Sequence, residues 1–292
     1  MFRSVLITGG TGTLGNALTR HLLDNKLSER ICIYSRGEHA QAAMRERFNN
    51  DPRLRWFIGD VRDLSRLRRA CQRNEPTCGG RLTLGVDLVI HAAALKRIEV
   101  GHYNPIEMCK TNVEGTSNVI EAAQDAGVRK VVFISSDKAF QPVSAYGFSK
   151  ALGEALILAA NNTTGDTTKL AAVRYGNVWN SNGSVVPKWR DMLAAGAKEV
   201  PLTDPNCTRF FMKIDEAVNL VLSTAQSMKG GELAIPTLPA YRMGDLAKAF
   251  GVRPRVVGLP SWEKLAEAMS PDQSSDKARR MSIAELKDQL AV

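Results

Sequence analysis

Short apolar runs alternate with longer amphipathic stretches from the first residues of the chain. Residues 5–8, 30–34, 54–58, 87–91, 130–135 and 170–175 are short, mostly apolar and without strict in–out alternation. That pattern belongs to parallel strands covered on both faces, not to a sheet with one face in water. Between them, residues 15–25, 39–48, 64–73, 105–126 and 144–161 carry the helical periodicity of amphipathic segments. Strand–helix alternation of this kind predicts an α/β fold with a doubly wound parallel sheet.

Beyond about residue 176 the rhythm changes. Residues 184–195, 214–228, 243–250 and 262–269 predict helices, with only brief strand candidates between them. The expected division is therefore a sheet domain over 1–175 and a smaller, mainly helical C-terminal lobe over 176–292, lying across the strand ends and interleaved with the first part. The stretch 74–85 exceeds the ~2–6 residues that usually join a helix to a strand and predicts a surface excursion.

A length of 292 residues suits one large α/β unit with such a lobe. No apolar run approaches the ~18 residues needed to span a bilayer. The first predicted strand begins almost at Met1, which leaves no room for a signal peptide, so a cytoplasmic protein without a membrane partner is expected. The five cysteines are scattered, with no C-x-x-C pair and no accompanying histidine cluster. Reduced thiols and no metal site are the expectation. The net charge is +9, and basic residues bunch in 62–73 and 277–280. Both bunches are expected to be solvated helix faces. No nucleic-acid readout motif accompanies them, and a polyanionic small ligand accounts for a positive cleft equally well.

The chemistry-bearing residues begin at the end of the first strand, in Thr8-Gly-Gly-Thr-Gly-Thr-Leu-Gly15. Gly9 permits the tight turn, Gly12 lets the backbone approach a pyrophosphate, and Gly15 lets the following helix pack close to the sheet. Thr11, Thr13 and Leu14 complete this loop, and the helix start would offer free N–H groups to phosphate oxygens. The second strand ends in Ser35-Arg36, where a site selecting NAD usually carries a carboxylate. A guanidinium suits a 2′-phosphate and a carboxylate repels one, so NADP is the expected cofactor. Asp60 and Val61 follow the third strand, with Asp60 expected to meet the adenine amino group. Ala92, Ala93 and Ala94 follow the fourth, where small side chains leave room for a cofactor against the backbone.

Tyr146 and Lys150 stand four apart at the start of a predicted helix and so share a face. Such a spacing also describes an ordinary helix pair. After a glycine loop and a fifth strand it predicts an alcohol-oxidising proton shuttle, in which the lysine lowers the phenol pKa from ~10. Both residues would also touch the cofactor. Directly after the fifth strand come Ser136, Asp137 and Lys138. Ser136 would bind the hydroxyl being oxidised. The carboxylate and amine beside it are what an elimination needs, an acid for a leaving hydroxyl and a base for a carbon-bound proton.

With these residues in place the chain resembles the inverting UDP-N-acetylglucosamine 4,6-dehydratases, extended short-chain dehydrogenase/reductases with a Rossmann-like sheet. The resemblance runs from about residue 4 to residue 269 and rests on TGGTGTLG, YSRGE, FIGDVRDL, HAAALKR, KTNVEGTSNVIEAA, SSDKA, YGFSK, RYGNVWNSNGSVVP, CTRFF and EKLAE. It implies an NADP-binding domain over 1–175 and a substrate-binding lobe over 176–292. It implies that Tyr146, aided by Lys150, takes the 4-hydroxyl proton as hydride passes to NADP⁺. Lys138 would then take the proton from carbon 5 while Asp137 helps the 6-hydroxyl leave, and hydride would return to carbon 6. The product would be a 4-keto-6-deoxy sugar inverted at carbon 5. By motif, Thr111 and Val178 join the cofactor contacts. Lys96, Asn177, Ser184, Val185, Pro187, Thr203 and Arg209 become contacts to a nucleotide-sugar substrate, with Arg209 on the diphosphate. A homo-oligomer is implied, through the 105–126 and 144–161 helices. Ser136 stands where the family usually has Thr, Ala40 where it has Lys, and 260–264 reads Pro-Ser-Trp-Glu-Lys where it has Arg-Pro-Gly-Glu-Lys. A 4-epimerase or reductase of the same fold would use Tyr146 and Lys150 and leave Asp137 and Lys138 idle. A non-catalytic NADP(H) sensor would need none of the four.

Overall fold

The computed structural model describes residues 2–72, 85–163, 165 and 167–291. The first half runs β1 (Ser4–Thr8), α1 (Thr13–Asp24), β2 (Arg30–Ser35), α2 (Glu38–Arg47), β3 (Leu54–Ile58), α3 (Leu64–Cys71), β4 (Leu88–His91), α4 (Ile98–Tyr103) and α5 (Pro105–Cys109). A π-helical turn (Lys110–Glu114) leads into α6 (Gly115–Asp125), followed by β5 (Lys130–Ile134), a 3₁₀ turn (Asp137–Ala139), α7 (Ala145–Ala160) and β6 (Lys169–Val173). Then come α8 (Val185–Ala194), β7 (Glu199–Leu202), β8 (Thr208–Phe210), α9 (Ile214–Ser227), β9 (Leu233–Ala234), β10 (Ala240–Arg242) and α10 (Met243–Phe250). The last elements are β11 (Arg253–Val256), β12 (Ala268–Ser270), β13 (Gln273–Ser274) and α11 (Ile283–Ala291).

Among the described residues the main sheet has seven strands in the order β3-β2-β1-β4-β5-β6-β9, paired in parallel throughout. The unalternating strand sequences find their reason here. Val5 and Ile7 of β1 face one layer, with Leu18 and Leu22 of α1 and Val218 and Val221 of α9. Leu6 faces the other, with Leu67 of α3, Val119 and Ala123 of α6 and Ile157 of α7. All three β1 side chains are fully buried. Each Val, Leu or Ile removed from water contributes roughly 1.5–3 kcal/mol, so both faces of β1 must be apolar. The crossover order reverses beside β1, and that places a crevice at the carboxyl ends of β1 and β4, where such sheets bind ligands.

The C-terminal lobe has its own core, in which Trp189 of α8, Leu202 of β7, Phe211, Tyr241 of β10, Leu246 of α10 and Leu286 of α11 meet. It is not wholly separate from the sheet, because β9 returns to pair with the far edge of β6.

Three expectations change. Residues 262–269 are not helical: a turn and bends lead through an isolated bridge at Ala266 into the β12–β13 hairpin. The carbonyls of Lys264 and Leu265 accept from Arg209 and from the Thr208 N–H, which leaves them unavailable to an i→i+4 ladder. The predicted 105–126 helix is interrupted by the π-helical turn that carries Thr111 and Asn112. Residues 277–280 form turns and a bridge, not a helix face. The 74–85 excursion lies, except for its last residue, outside the described residues.

Candidate active site

The glycine loop meets the physical requirements set by its sequence. Gly9 has φ +66°, and a Cβ there would stand 2.8 Å from the Ala93 backbone. A Cβ on Gly15 would collide with the Gly10 carbonyl. The start of α1 has Gly12 as its N-cap, no side-chain cap and no acidic residue in its first turn. Its backbone donors therefore face the crevice without a competing acceptor.

Two adjoining clefts open along this edge. The larger, of about 460 Å³, takes in Gly9, Gly12, Thr13, Leu14, Gly15, Ala92, Ala93 and Ala94 on one wall and Tyr146, Lys150 and Val178 on the other. The second, of about 400 Å³, is formed by Thr11, Ser35, Arg36, Asp60, Val61 and Thr111 together with Gly9, Ala93 and Ala94. Every residue expected to bind the cofactor lines one of the two. Thr111 Oγ1 and Ser135 Oγ are buried beside them with no hydrogen-bond partner among the described residues. Unpaired hydroxyls and glycine-only backbone are features that a dinucleotide would satisfy. Ser35 is fixed by Gln41, whose Nε2 donates to its Oγ at 3.0 Å. The Arg36 side chain is half exposed and stands 3.9 Å from Asp60. Asp60 is held mainly by Arg62, which donates to its Oδ2 through Nε at 3.0 Å and Nη2 at 2.8 Å. Its carboxyl lies below the usual range, because these bonds outweigh the burial that pushes it up.

At the end of β5 the chain turns sharply; Ser136 and Lys138 line the larger cleft, and Asp137 lies buried against them. Asp137 is fully buried, which removes the possibility of an ordinary surface ion pair. Its Oδ1 accepts from Lys138 Nζ at 3.0 Å and from Ser136 Oγ at 2.9 Å. Lys138 Nζ also reaches Asn177 Oδ1 at 3.4 Å. Burial pushes the Asp137 carboxyl up, against the pull of Lys138. Burial pushes the Lys138 amine down, but Asp137 and Glu267 outweigh it and hold the group protonated. The Tyr146 phenol is buried, hydrogen-bonded to Ser136 and held above its ordinary value by burial, with Lys138 opposing.

Lys150 behaves differently from the sequence expectation. Its ammonium donates to the Ile134 carbonyl at 2.7 Å and lies over the Phe133 ring, 4.5 Å from its centroid. Burial brings it down to about 8, with Glu154 opposing. Lys138 is a cation that favours the Tyr146 phenolate against burial.

The substrate residues divide. Lys96, Asn177 and Ser184 line the larger cleft, and Lys96 Nζ donates to Asn182 O at 2.7 Å. Val185, Pro187, Thr203 and Arg209 do not line it. Arg209 is buried, its Nη1 donates to the carbonyls of Thr208 at 2.9 Å and Lys264 at 3.0 Å, and its Nη2 stands 3.3 Å from Glu263. A guanidinium committed in this way pins the 263–265 segment. Arg97, the neighbour of Lys96, does line the cleft.

Two contributors are absent from the sequence reading. Gly176 packs where a Cβ would strike Phe210 and come within 3.3 Å of Asp137 Oδ2. Glu267 is buried and stands 3.4 Å from Lys138 Nζ. The only signal for Glu267 was its place in the EKLAE motif, about 130 residues away from Lys138 in the chain.

The family described as "Polysaccharide biosynthesis protein" matches residues 5–286. The UDP-N-acetylglucosamine 4,6-dehydratase (inverting) of Campylobacter jejuni is 42% identical over 276 residues, covering 94% of this chain and 79% of that protein. The UDP-glucose 4-epimerase of Rickettsia canadensis is 37% identical over 286 residues, covering 94% of this chain and 80% of that protein. Among solved structures, Pen from Bacillus thuringiensis superposes with a TM-score of 0.89 at 30% identity, covering 99% of this chain and 98% of that one.

Proposed function

The chain belongs to the polysaccharide biosynthesis protein family, and we propose that it is a nucleotide-sugar 4,6-dehydratase using a nicotinamide dinucleotide, NADP in preference to NAD. The observation that carries this reading is the buried Asp137–Lys138 pair, 3.0 Å apart, standing beside Tyr146 at the carboxyl end of β5. An oxidation and reduction at one carbon needs the phenol alone. A buried acid–base pair in the same cleft is a requirement of elimination. The similarity to the Campylobacter dehydratase supports UDP-N-acetylglucosamine or a related UDP-sugar as substrate.

When bound, the dinucleotide supplies the hydride acceptor and donor, held by the glycine loop, Ala92–Ala94 and the Ser35–Arg36 turn. Arg36 lines the second cleft, and the β2 end itself carries Ser35 and Arg36 in place of a carboxylate, which favours the 2′-phosphate form. In its phenolate form, which Lys138 and the Ser136 hydrogen bond favour against burial, Tyr146 takes the proton of the sugar 4-hydroxyl and becomes a neutral phenol, and Ser136 positions that hydroxyl. Lys150, fixed on the Ile134 carbonyl, lies deeper and supports the cofactor side. Transfer of one proton along the Lys138–Asp137 hydrogen bond turns the ion pair into a neutral amine and a carboxylic acid. Burial favours this exchange in both partners. The amine then takes the carbon 5 proton and the acid protonates the departing 6-hydroxyl, so the water lost carries the proton that began on Lys138. Lys96, Asn177 and Ser184 hold the sugar nucleotide, and residues 176–292 form most of its binding lobe. A cytoplasmic location goes with this reading.

The apolar side chains of Tyr103, Ile106, Phe148 and Leu152 are exposed on α4, α5 and α7. We assign them to contact between copies of the chain. The Rickettsia relative favours a second reading, a 4-epimerase in which Asp137 and Lys138 take no part. Incubation with a panel of UDP- and dTDP-sugars and mass spectrometry decides between them. Loss of 18 Da, the mass of one water, with solvent deuterium at carbon 5 is the expected result. Turnover without water loss refutes the dehydratase.

A further inference from the structure

The segment leading into β12 delivers a buried carboxylate to Lys138. Glu267 is 2% exposed, and its Oε1 stands 3.4 Å from Lys138 Nζ while its Oε2 stands 3.4 Å from Lys264 Nζ. Its backbone is clamped: the N–H donates to Ser275 Oγ at 2.9 Å and the carbonyl accepts from Ser275 N–H at 2.7 Å. Lys264 is fixed in turn on the Phe140 carbonyl, 2.7 Å away. A carboxylate removed from water is costly unless it is paired.

The partner that makes sense of the charge is Lys138. An ammonium has three N–H donors and no acceptor. Three acceptors surround this one: Asp137 Oδ1 at 3.0 Å, Asn177 Oδ1 at 3.4 Å and Glu267 Oε1 at 3.4 Å. In that setting the amine has no free lone pair to offer a substrate. It becomes a base only after passing a proton to Asp137, and Glu267 opposes that transfer by stabilising the charge.

We propose that Glu267 is a positioning residue for Lys138: from the C-terminal lobe it anchors the ammonium against Asp137 and sets how readily that amine gives up its proton. The inference rests on the proposed function, in which Lys138 carries a proton during elimination. The groups that face Lys138 are Asp137 beside it, Glu267 ahead of β12, Arg209 on β8, Tyr146 on α7 and Tyr241 on β10. Arg209 opposes the protonated form, and Asp137 and Glu267 support it. Glu267 itself faces Lys138, Arg209 and Lys264, which hold it ionised against its burial. Removing its charge leaves burial and Arg209 opposed by Asp137 alone, so Lys138 loses its proton at lower pH.

The test compares wild type, E267Q and E267D, with kcat and kcat/KM for water loss measured across pH. The limb belonging to Lys138 should move to lower pH by about one unit in E267Q, the size produced by an opposite charge within about 4–6 Å. E267D keeps the charge and should keep the wild-type limb. A rate loss in E267Q with an unmoved profile assigns Glu267 a merely structural part and overturns the proposal. A second arm needs no substrate. Melting temperatures of wild type, E267Q, K138M and the double variant should be non-additive, with E267Q losing more when Lys138 is present than in the K138M background. Additive losses overturn the proposal as well. Strong thermal coupling with no water loss from any nucleotide sugar overturns the proposed function and leaves the contact standing.

Discussion

Replacing Lys150 by methionine should stabilise the protein at neutral pH while destroying its activity, and the size of the gain should depend on pH. Lys150 is 3% exposed, and burial holds its ammonium at about 8 in place of the ordinary 10.5. At about 1.4 kcal/mol per pH unit, that difference costs the folded state about 3 kcal/mol wherever the unfolded chain is protonated and the folded amine must be protonated too. The cost is fully present below about pH 8. It shrinks as the folded amine loses its proton, and it is gone above the unfolded value near 10.5. Wild-type stability therefore rises with pH through this window relative to K150M. Lost contacts offset part of the gain: the bond to Ile134 O is worth about 1.5–3 kcal/mol for a charged donor, and the Phe133 ring adds less. Both contacts belong to the ammonium, so the pH-dependent part reports the burial cost net of them. Urea unfolding of both proteins without added dinucleotide should give a stability difference that moves by about 2–3 kcal/mol between pH 7 and pH 10 in favour of wild type. A difference that stays constant, or moves the other way, refutes the account of Lys150 as a charge held at a cost.

Three further outcomes follow from the site. R36D should reverse the preference for NADP over NAD, read by calorimetry with both dinucleotides; an unchanged ratio removes Arg36 from cofactor selection. K138A should still oxidise bound substrate, seen as a transient nicotinamide absorbance near 340 nm, while water loss falls by ~10²–10⁴-fold; near-native dehydration would remove Lys138 from the chemistry. F148D, on the exposed apolar face of α7, should convert an oligomer to monomer by light scattering without loss of the folded spectrum; a wild-type monomer at working concentration refutes the assigned contact.

Much of the fold was legible because its determinants are local. A strand buried on both faces needs an apolar residue at nearly every position, and Val5, Leu6 and Ile7 say so directly. The glycine loop was legible for the same reason, since the space denied to a Cβ at Gly9 and Gly15 is created within one strand–turn–helix unit. Most of the expected cofactor residues follow strand ends, and all of them line the clefts. Arg209 was not legible. Whether its guanidinium faces the cleft or the carbonyls of Thr208 and Lys264 depends on where a segment about 55 residues further along is laid. The same contact explains the misplaced helix at 262–269, whose apolar spacing is helical but whose carbonyls are already engaged. Spacing along a helix reports that Tyr146 and Lys150 share a face and not that the Lys150 ammonium reaches the Ile134 carbonyl.

The two-residue strand β9 has a consequence for how this chain could be divided. Its backbone meets β6 through Ala172 N–H to Glu232 O and Arg174 N–H to Ala234 O, both at 2.9 Å. A fragment stopped after residue 175 would end its sheet on β6 with those amides bare, as well as uncovering the surface that α9 protects. An open strand edge beside an unprotected apolar layer is a template for joining other sheets. The glycine loop could be copied into such a fragment intact and still never reach solution folded, because the piece that seals it is made almost sixty residues later.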